Sequence, residues 1–126
     1  MIRSEYCEKS NTLYVEMSGL IGIEEMLEYA KSLARYSSLS RCLKVYEEAS
    51  NSRFDFLIED INRMLDIMCR NLGVFCSIRH AMVRNTPLET AYSICYQTRN
   101  SIENYATKVF STKQGAMYWL KENLPV

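Results

Sequence analysis

The stretch VFCSIRHAMVRNTPLETAYSIC, residues 74–95, decides the fold. Its first ten residues are apolar on both parities for much of their length, the pattern of a central parallel strand. The next few start a helix. Thr86 can cap, Pro87 suits the first helical position, and Glu89 stands at capping-box spacing from Thr86. Leu88, Ala91, Tyr92 and Cys95 then supply the expected buried stripe. A strand buried on both faces that leads straight into a helix belongs to a βαβ arrangement.

The same alternation extends in both directions. Towards the C-terminus, YATKVF (105–110) reads as a strand, Ser111 and Gln114 repeat the capping-box spacing, and GAMYWLKENL (115–124) reads as a helix with Pro125 just past its end. Towards the N-terminus, CLKVYEE (42–48) is a strand and EEASNSRF (47–54) is the loop after it. Leu57, Ile61, Met64, Leu65, Met68 and Leu72 then form a helical stripe, with Glu59–Arg63 and Asp66–Arg70 as i,i+4 pairs and Gly73 as the stop. Farther back, Ile23, Met26, Leu27, Ala30, Leu33 and Ala34 mark another amphipathic helix. MIRSEYC and TLYVEM flank the turn EKSN as a hairpin. The expected order is β-β-α-β-α-β-α-β-α. This is an α/β domain over residues 1–126 with a mixed five-stranded sheet, parallel after an N-terminal antiparallel hairpin.

Composition narrows the chemistry. Hydrophobic residues make up 48% of the chain and charged residues 24%, as in an ordinary globular protein. Lys plus Arg and Asp plus Glu both number 15, which removes the electrostatic drive for general binding to nucleic acid or an anionic membrane. The five cysteines show no C-x-x-C pair, and His80 is the only histidine, so neither a metal site nor a cofactor is expected. The cysteines read as reduced and buried. The opening residues lack a secretory h-region and no apolar run approaches membrane-spanning length, so a cytoplasmic location is expected.

A site should lie where loops leave the carboxyl ends of parallel strands. Four loops qualify: Ser18–Gly22, Glu47–Arg53, Arg84–Thr86 and Ser111–Lys113. The candidate binding residues are Glu47, Glu48, Ser50, Asn51, Ser52, Arg84, Asn85, Thr86 and Ser111. Arg84, Asn85, Thr86, Ser111 and Lys113 suit an anion at helix N-termini, whereas Glu47 and Glu48 oppose one unless a carboxylate pairs with Arg84 or Arg53. Thr86 and Ser111 also read simply as caps, each worth about 1 kcal/mol. No nucleophile–base pair is visible, and His80 reads as a histidine satisfied in or beside the core. Nine tyrosines exceed the needs of a small core, and Tyr6 and Tyr14 on the hairpin suggest a homodimer face.

The element order, with IRHAMVRNTPLETA, KVFSTKQGAMYWL and VEMSGLIGIEEM, resembles the STAS-like domains and, within them, the SpoIIAA-like group of small bacterial proteins. The resemblance implies a largely non-enzymatic protein, either a module that binds a protein partner or a small ligand, or an anti-sigma-factor-antagonist type of switch. Such a switch is phosphorylated in the loop between the third strand and second helix, which here offers Ser50 and Ser52. The group's Asp-Ser-Ser or Asp-Ser-Thr followed by Gly is replaced by Glu48-Ala49-Ser50-Asn51-Ser52-Arg53. Ligand binding requires a cavity under loops 18–22, 47–53 and 84–86, lined by Leu20, Ile21, Phe54 or Phe56. A switch requires an exposed serine and no cavity.

Overall fold

One sheet must bury two faces, and chain order decides which helix covers which. The computed structural model describes residues 1–122, so Pro125 lies outside the described residues. Strands β1 (Ile2–Cys7), β2 (Thr12–Gly22), β3 (Cys42–Asp55), β4 (Ser77–Val83) and β5 (Tyr105–Phe110) lie side by side in that order. β1 pairs antiparallel with β2, and every other neighbour is parallel, as the sequence leads one to expect.

Because each parallel strand sits next to its predecessor, crossovers of one hand place successive helices on one face. Helices α1 (Ile23–Ser32), α2 (Asp60–Asn71) and α3 (Pro87–Arg99) all pack there. They cover Leu13, Val15, Leu43, Val45, Ile78 and Met82. Helix α4 (Lys113–Lys121) turns back over the opposite face, where Ala116 and Leu120 meet Tyr46, Ala81 and Val83. β4 is thus buried on both parities from Ile78 to Val83, as its composition indicates. Among the described residues no helix is long and apolar enough to cross a membrane.

The main departure from the sequence reading concerns length. Ser18–Gly22 and Glu47–Arg53 are not loops; β2 and β3 run through them. β3 pairs with β4 only as far as Glu48 opposite Val83. At that point Met17 of β2 stands against two β3 residues, Ala49 and Ser50, a bulge that re-aims the pair. Beyond it β2 and β3 continue as a two-stranded ribbon from Ser18–Asn51 to Gly22–Asp55. Along the ribbon Ser52 and Phe54 are buried while Asn51, Arg53 and Asp55 are exposed, a period of two disguised by polar side chains.

Smaller corrections have local causes. α2 starts at Asp60, leaving Leu57 exposed, and Arg63 pairs with Asp60 rather than Glu59; Arg70–Asp66 forms as expected. Gly73 takes no left-handed conformation, because α2 ends at Asn71 and tightens into a single 3-10 turn over Leu72–Val74. β4 starts at Ser77, three residues later than expected. Thr112, not Ser111, caps α4 by accepting the Gly115 N–H. All five cysteines are unpaired, but Cys42, Cys69 and Cys76 are exposed rather than buried.

The β1–β2 turn depends on Asn11, which holds a left-handed φ of 53°. Its side chain accepts the Tyr6 O–H at 2.7 Å and donates to the Cys42 carbonyl at 2.5 Å, tying the hairpin to β3. Asn11→Gly relaxes the backbone but removes both bonds. It is expected to destabilise the fold by about 1–2 kcal/mol in urea unfolding. A neutral or stabilising outcome would mean that backbone strain outweighs the ties.

Candidate functional site

Strand parity places a carboxylate where the sheet needs an apolar side chain. Glu47 shares its side of β3 with Leu43 and Val45, beneath the three-helix layer, and is 2% exposed. A buried carboxylate is tolerated only if its lone pairs are filled and its charge is paired. Here both conditions are met. Tyr29 of α1 donates to Oε2 at 2.6 Å, and His80 Nε2 on β4 lies 2.7 Å from the same oxygen. Arg84, just past β4, donates through Nη2 to Oε1.

Arg84 is as buried as its partner. Its Nε donates to Ser93 Oγ on α3 at 2.8 Å, and Nη1 donates to the carbonyls of Val83 and Glu47 at 3.0 and 3.3 Å. The other His80 nitrogen, Nδ1, lies 2.5 Å from the Tyr105 hydroxyl, which lies 2.8 Å from that of Tyr96. One proton assignment satisfies the whole chain: Tyr96 donates to Tyr105, Tyr105 donates to His80, and His80 donates to Glu47. Burial above all raises the pKa of Tyr29, Tyr96 and Tyr105, so these phenols stay protonated and act as donors. Burial alone would also raise Glu47, but the electrostatic pull of His80 and of the Arg84 guanidinium, with hydrogen bonds from His80 and Tyr29, outweighs it and holds the carboxyl well below the usual range.

A cavity of about 30 Å³ opens against this cluster at the carboxyl half of the sheet, space for about one or two waters. Glu47, His80, Arg84 and Ser93 contribute to its polar side; Met26, Met64, Met68 and Met82 contribute to its apolar side, closed by Phe54, Phe56 and Tyr92. Those three rings stand 5.2–6.4 Å apart. Phe54 and Phe56 therefore line a cavity as the sequence suggests, while Leu20 is exposed and Ile21 belongs to the core. The mouth is tied to α3 by Glu89. Thr86 donates to its Oε1, and the Phe54 N–H donates to its Oε2 at 3.0 Å. The expected Thr86–Glu89 capping box is thus diverted to fasten the ribbon, and Thr86 makes no side-chain bond to a helix N–H.

The candidate residues from sequence divide into three groups. Glu47 and Arg84 meet in the core. Glu48 and Ser50 meet on the other parity of β3, where Ser50 Oγ donates to Glu48 at 2.9 Å. Asn51, Asn85 and Ser111 are exposed without joining either cluster, Thr86 is half-buried, and Ser52 is buried with its hydroxyl on the Ala49 carbonyl. His80 is satisfied in the core, as its sequence setting indicates. Sequence reasoning missed that it bridges Glu47 to the two tyrosines. It also misplaced the inner face of α3: Leu88 and Ala91 are exposed, whereas Glu89, Ser93 and Tyr96 are buried. The signal was present as an i, i+4, i+7 row of polar and aromatic residues.

No family model matches the sequence, and no curated protein matches it. Among solved structures the chain is similar to an uncharacterized protein from the DUF3478 family with a SpoIIAA-like fold from Shewanella loihica PV-4. The TM-score is 0.60 at 16% identity, covering 95% of this chain and 92% of that one. The likeness establishes the architecture: this chain has a SpoIIAA-like fold.

Glu47→Gln removes one charge and leaves Arg84 buried without its counter-ion, a change that costs about 3–5 kcal/mol at neutral pH. The Glu47 pKa is depressed on folding. Its contribution is therefore fully present above the ordinary carboxylate pKa of about 4.3 and fades as pH falls below that value. Urea unfolding should show the gap between wild type and Glu47→Gln narrowing from about pH 7 to about pH 3. A gap independent of pH would contradict the assigned ion pair.

Proposed function

We propose that this SpoIIAA-like chain is a non-catalytic binding module whose ligand is a small amphipathic molecule held between α1, α2, α3 and the carboxyl half of the sheet. The observation that carries the reading is the cavity itself, which joins an apolar, methionine-rich wall to a fixed polar floor. Pockets of this make-up suit ligands with one polar end. Unbranched methionines can re-pack to admit a guest larger than the empty cavity, which is small as it stands.

The polar floor supports the amphipathic form of the reading over the anionic one. Four of the five Arg84 N–H groups are already committed within the chain. An anion entering here would find the guanidinium neutralised by Glu47. A polar end that shares hydrogen bonds with Ser93 or Tyr96 fits better. Leu20, Leu57 and Leu88 are exposed on segments at the same end of the molecule, and they favour a protein partner as the second reading.

The phosphorylation reading draws less support. Ser52 is buried and bonded, and a phosphate on Ser50 would stand beside the Glu48 carboxylate it now contacts. For a homodimer through the hairpin, Tyr6 packs on Tyr36 and Tyr14 on Tyr46, leaving the unpaired backbone edge of β1 as the support.

Methyl-labelled methionine spectra test the module reading. Titration with 1-octanol should shift Met26, Met64, Met68 and Met82 in a saturable way and leave Met117, on the α4 face, unmoved. Octanoate should bind more weakly. Ala30→Leu, which fills the cavity, should abolish the shifts at a stability cost of about 1–3 kcal/mol. Uniform or unsaturable shifts would contradict the assignment.

A further inference from the structure

A second pocket, of about 260 Å³, lies at the opposite end of the sheet, where β2 and β3 begin and α4 ends. Three elements each bring a lysine to it: Lys9 from the β1–β2 turn, Lys44 from the start of β3 and Lys121 from the last turn of α4. Ser10, Thr12, Met117 and Leu120 complete the lining, and no acidic side chain belongs to it. Among the described residues none of the three ammonium groups lies within ion-pair distance of a carboxylate. Three cations brought together without a counter-charge repel one another, so a bound anion lowers the energy of the arrangement.

Two further observations point the same way. Ser10 Oγ is buried and makes no hydrogen bond to oxygen or nitrogen; its polar neighbour is the Cys7 thiol, whose pKa it lowers. With no oxygen or nitrogen partner, this hydroxyl can exchange its weak thiol contact for a stronger acceptor. Beside Lys44 in register stands Arg79, 7% exposed, with Nε and Nη1 unpartnered among the described residues. Its remaining contacts are the Trp119 carbonyl, the Trp119 ring and Glu122 at 3.7 Å. The Glu122 carboxylate is drawn to Arg79 and does not line the pocket.

We propose that Lys9, Ser10, Lys44 and Lys121 form a binding site for a phosphate monoester. The lysines supply charge without fixed geometry, as suits a dianion with three acceptor oxygens. Met117 and Leu120 form an apolar wall for the organic part of the ester. The site is separate from the cavity under α1–α3, since the sheet lies between the two helical layers.

The test is a backbone amide titration of the full chain with phenyl phosphate, with phenol as the uncharged control. Saturable shifts at Ser10, Thr12, Lys44 and Lys121 are expected with the phosphate and not with phenol. Lys44→Ala and Lys121→Ala should each weaken binding about tenfold or more, while Lys31→Ala on α1 should not. Lys44→Arg, which keeps the charge and the fold, should retain it. A lipid headgroup presents the same chemistry. Co-sedimentation with phosphatidic-acid vesicles that is lost in Lys44→Ala, without binding of free phenyl phosphate, would assign the site to a membrane source. No saturable shift together with no vesicle binding, or equal weakening by Lys31→Ala, would overturn the site.

Discussion

The buried Glu47–Arg84 pair is the constraint on which the rest of the structure depends. A carboxylate under three helices is cut off from bulk solvent, so the chain itself must supply its counter-charge and donors. That demand reaches α1 through Tyr29, β4 through His80, and α3 through Ser93, which holds the guanidinium that meets the carboxylate. It extends to β5 through Tyr105 and back to α3 through Tyr96. The α1 and α3 crossovers, which could slide on an apolar face, are instead held in register by directional bonds. A wholly hydrophobic replacement could match the stability but would lack these directional bonds.

The same constraint explains the cavity. Apolar side chains pack efficiently against one another, yet the rigid polar cluster cannot deform to meet Met26, Met64 and Met82, and space remains where the two meet. Phe54 and Phe56 close this space from the ribbon that β2 and β3 form beyond β4, and Glu89 ties the ribbon down. The opposite end of the sheet has a different character: among the described residues its pocket is lined by three lysines and no acidic side chain. One domain thus presents an internally neutralised pocket at the carboxyl edge and a lysine-lined one at the amino edge.

Much of the architecture was legible in the sequence because it rests on local patterns. The both-parity burial of β4, Pro87 at the start of α3 and the limits of β5 were read directly. The ribbon was not, because Glu47, Ser52 and Arg53 make an alternating strand look like a polar loop. Glu47 is buried only because Arg84, 37 positions away, arrives beside it, and no window of sequence contains both. For α3 the error was chemical. Apolar periodicity predicts Leu88 and Ala91 on the inner face, but the helix covers a polar floor and turns Glu89, Ser93 and Tyr96 inward. The site was therefore half visible: its edge of the sheet and the link between a glutamate and Arg84 could be anticipated, while its depth and the role of His80 could not.

The most direct test of the central claim is a double-mutant cycle on Glu47 and Arg84. Urea-unfolding free energies of wild type, Glu47→Leu, Arg84→Met and the double variant at neutral pH give the coupling between the two side chains. Each single change leaves a buried charge exposed to an apolar neighbour, whereas the double change removes both. The account predicts that the double variant loses less stability than the sum of the singles, by about 2 kcal/mol or more. Additivity within about 0.5 kcal/mol would contradict it and return the organisation of the fold to apolar packing alone.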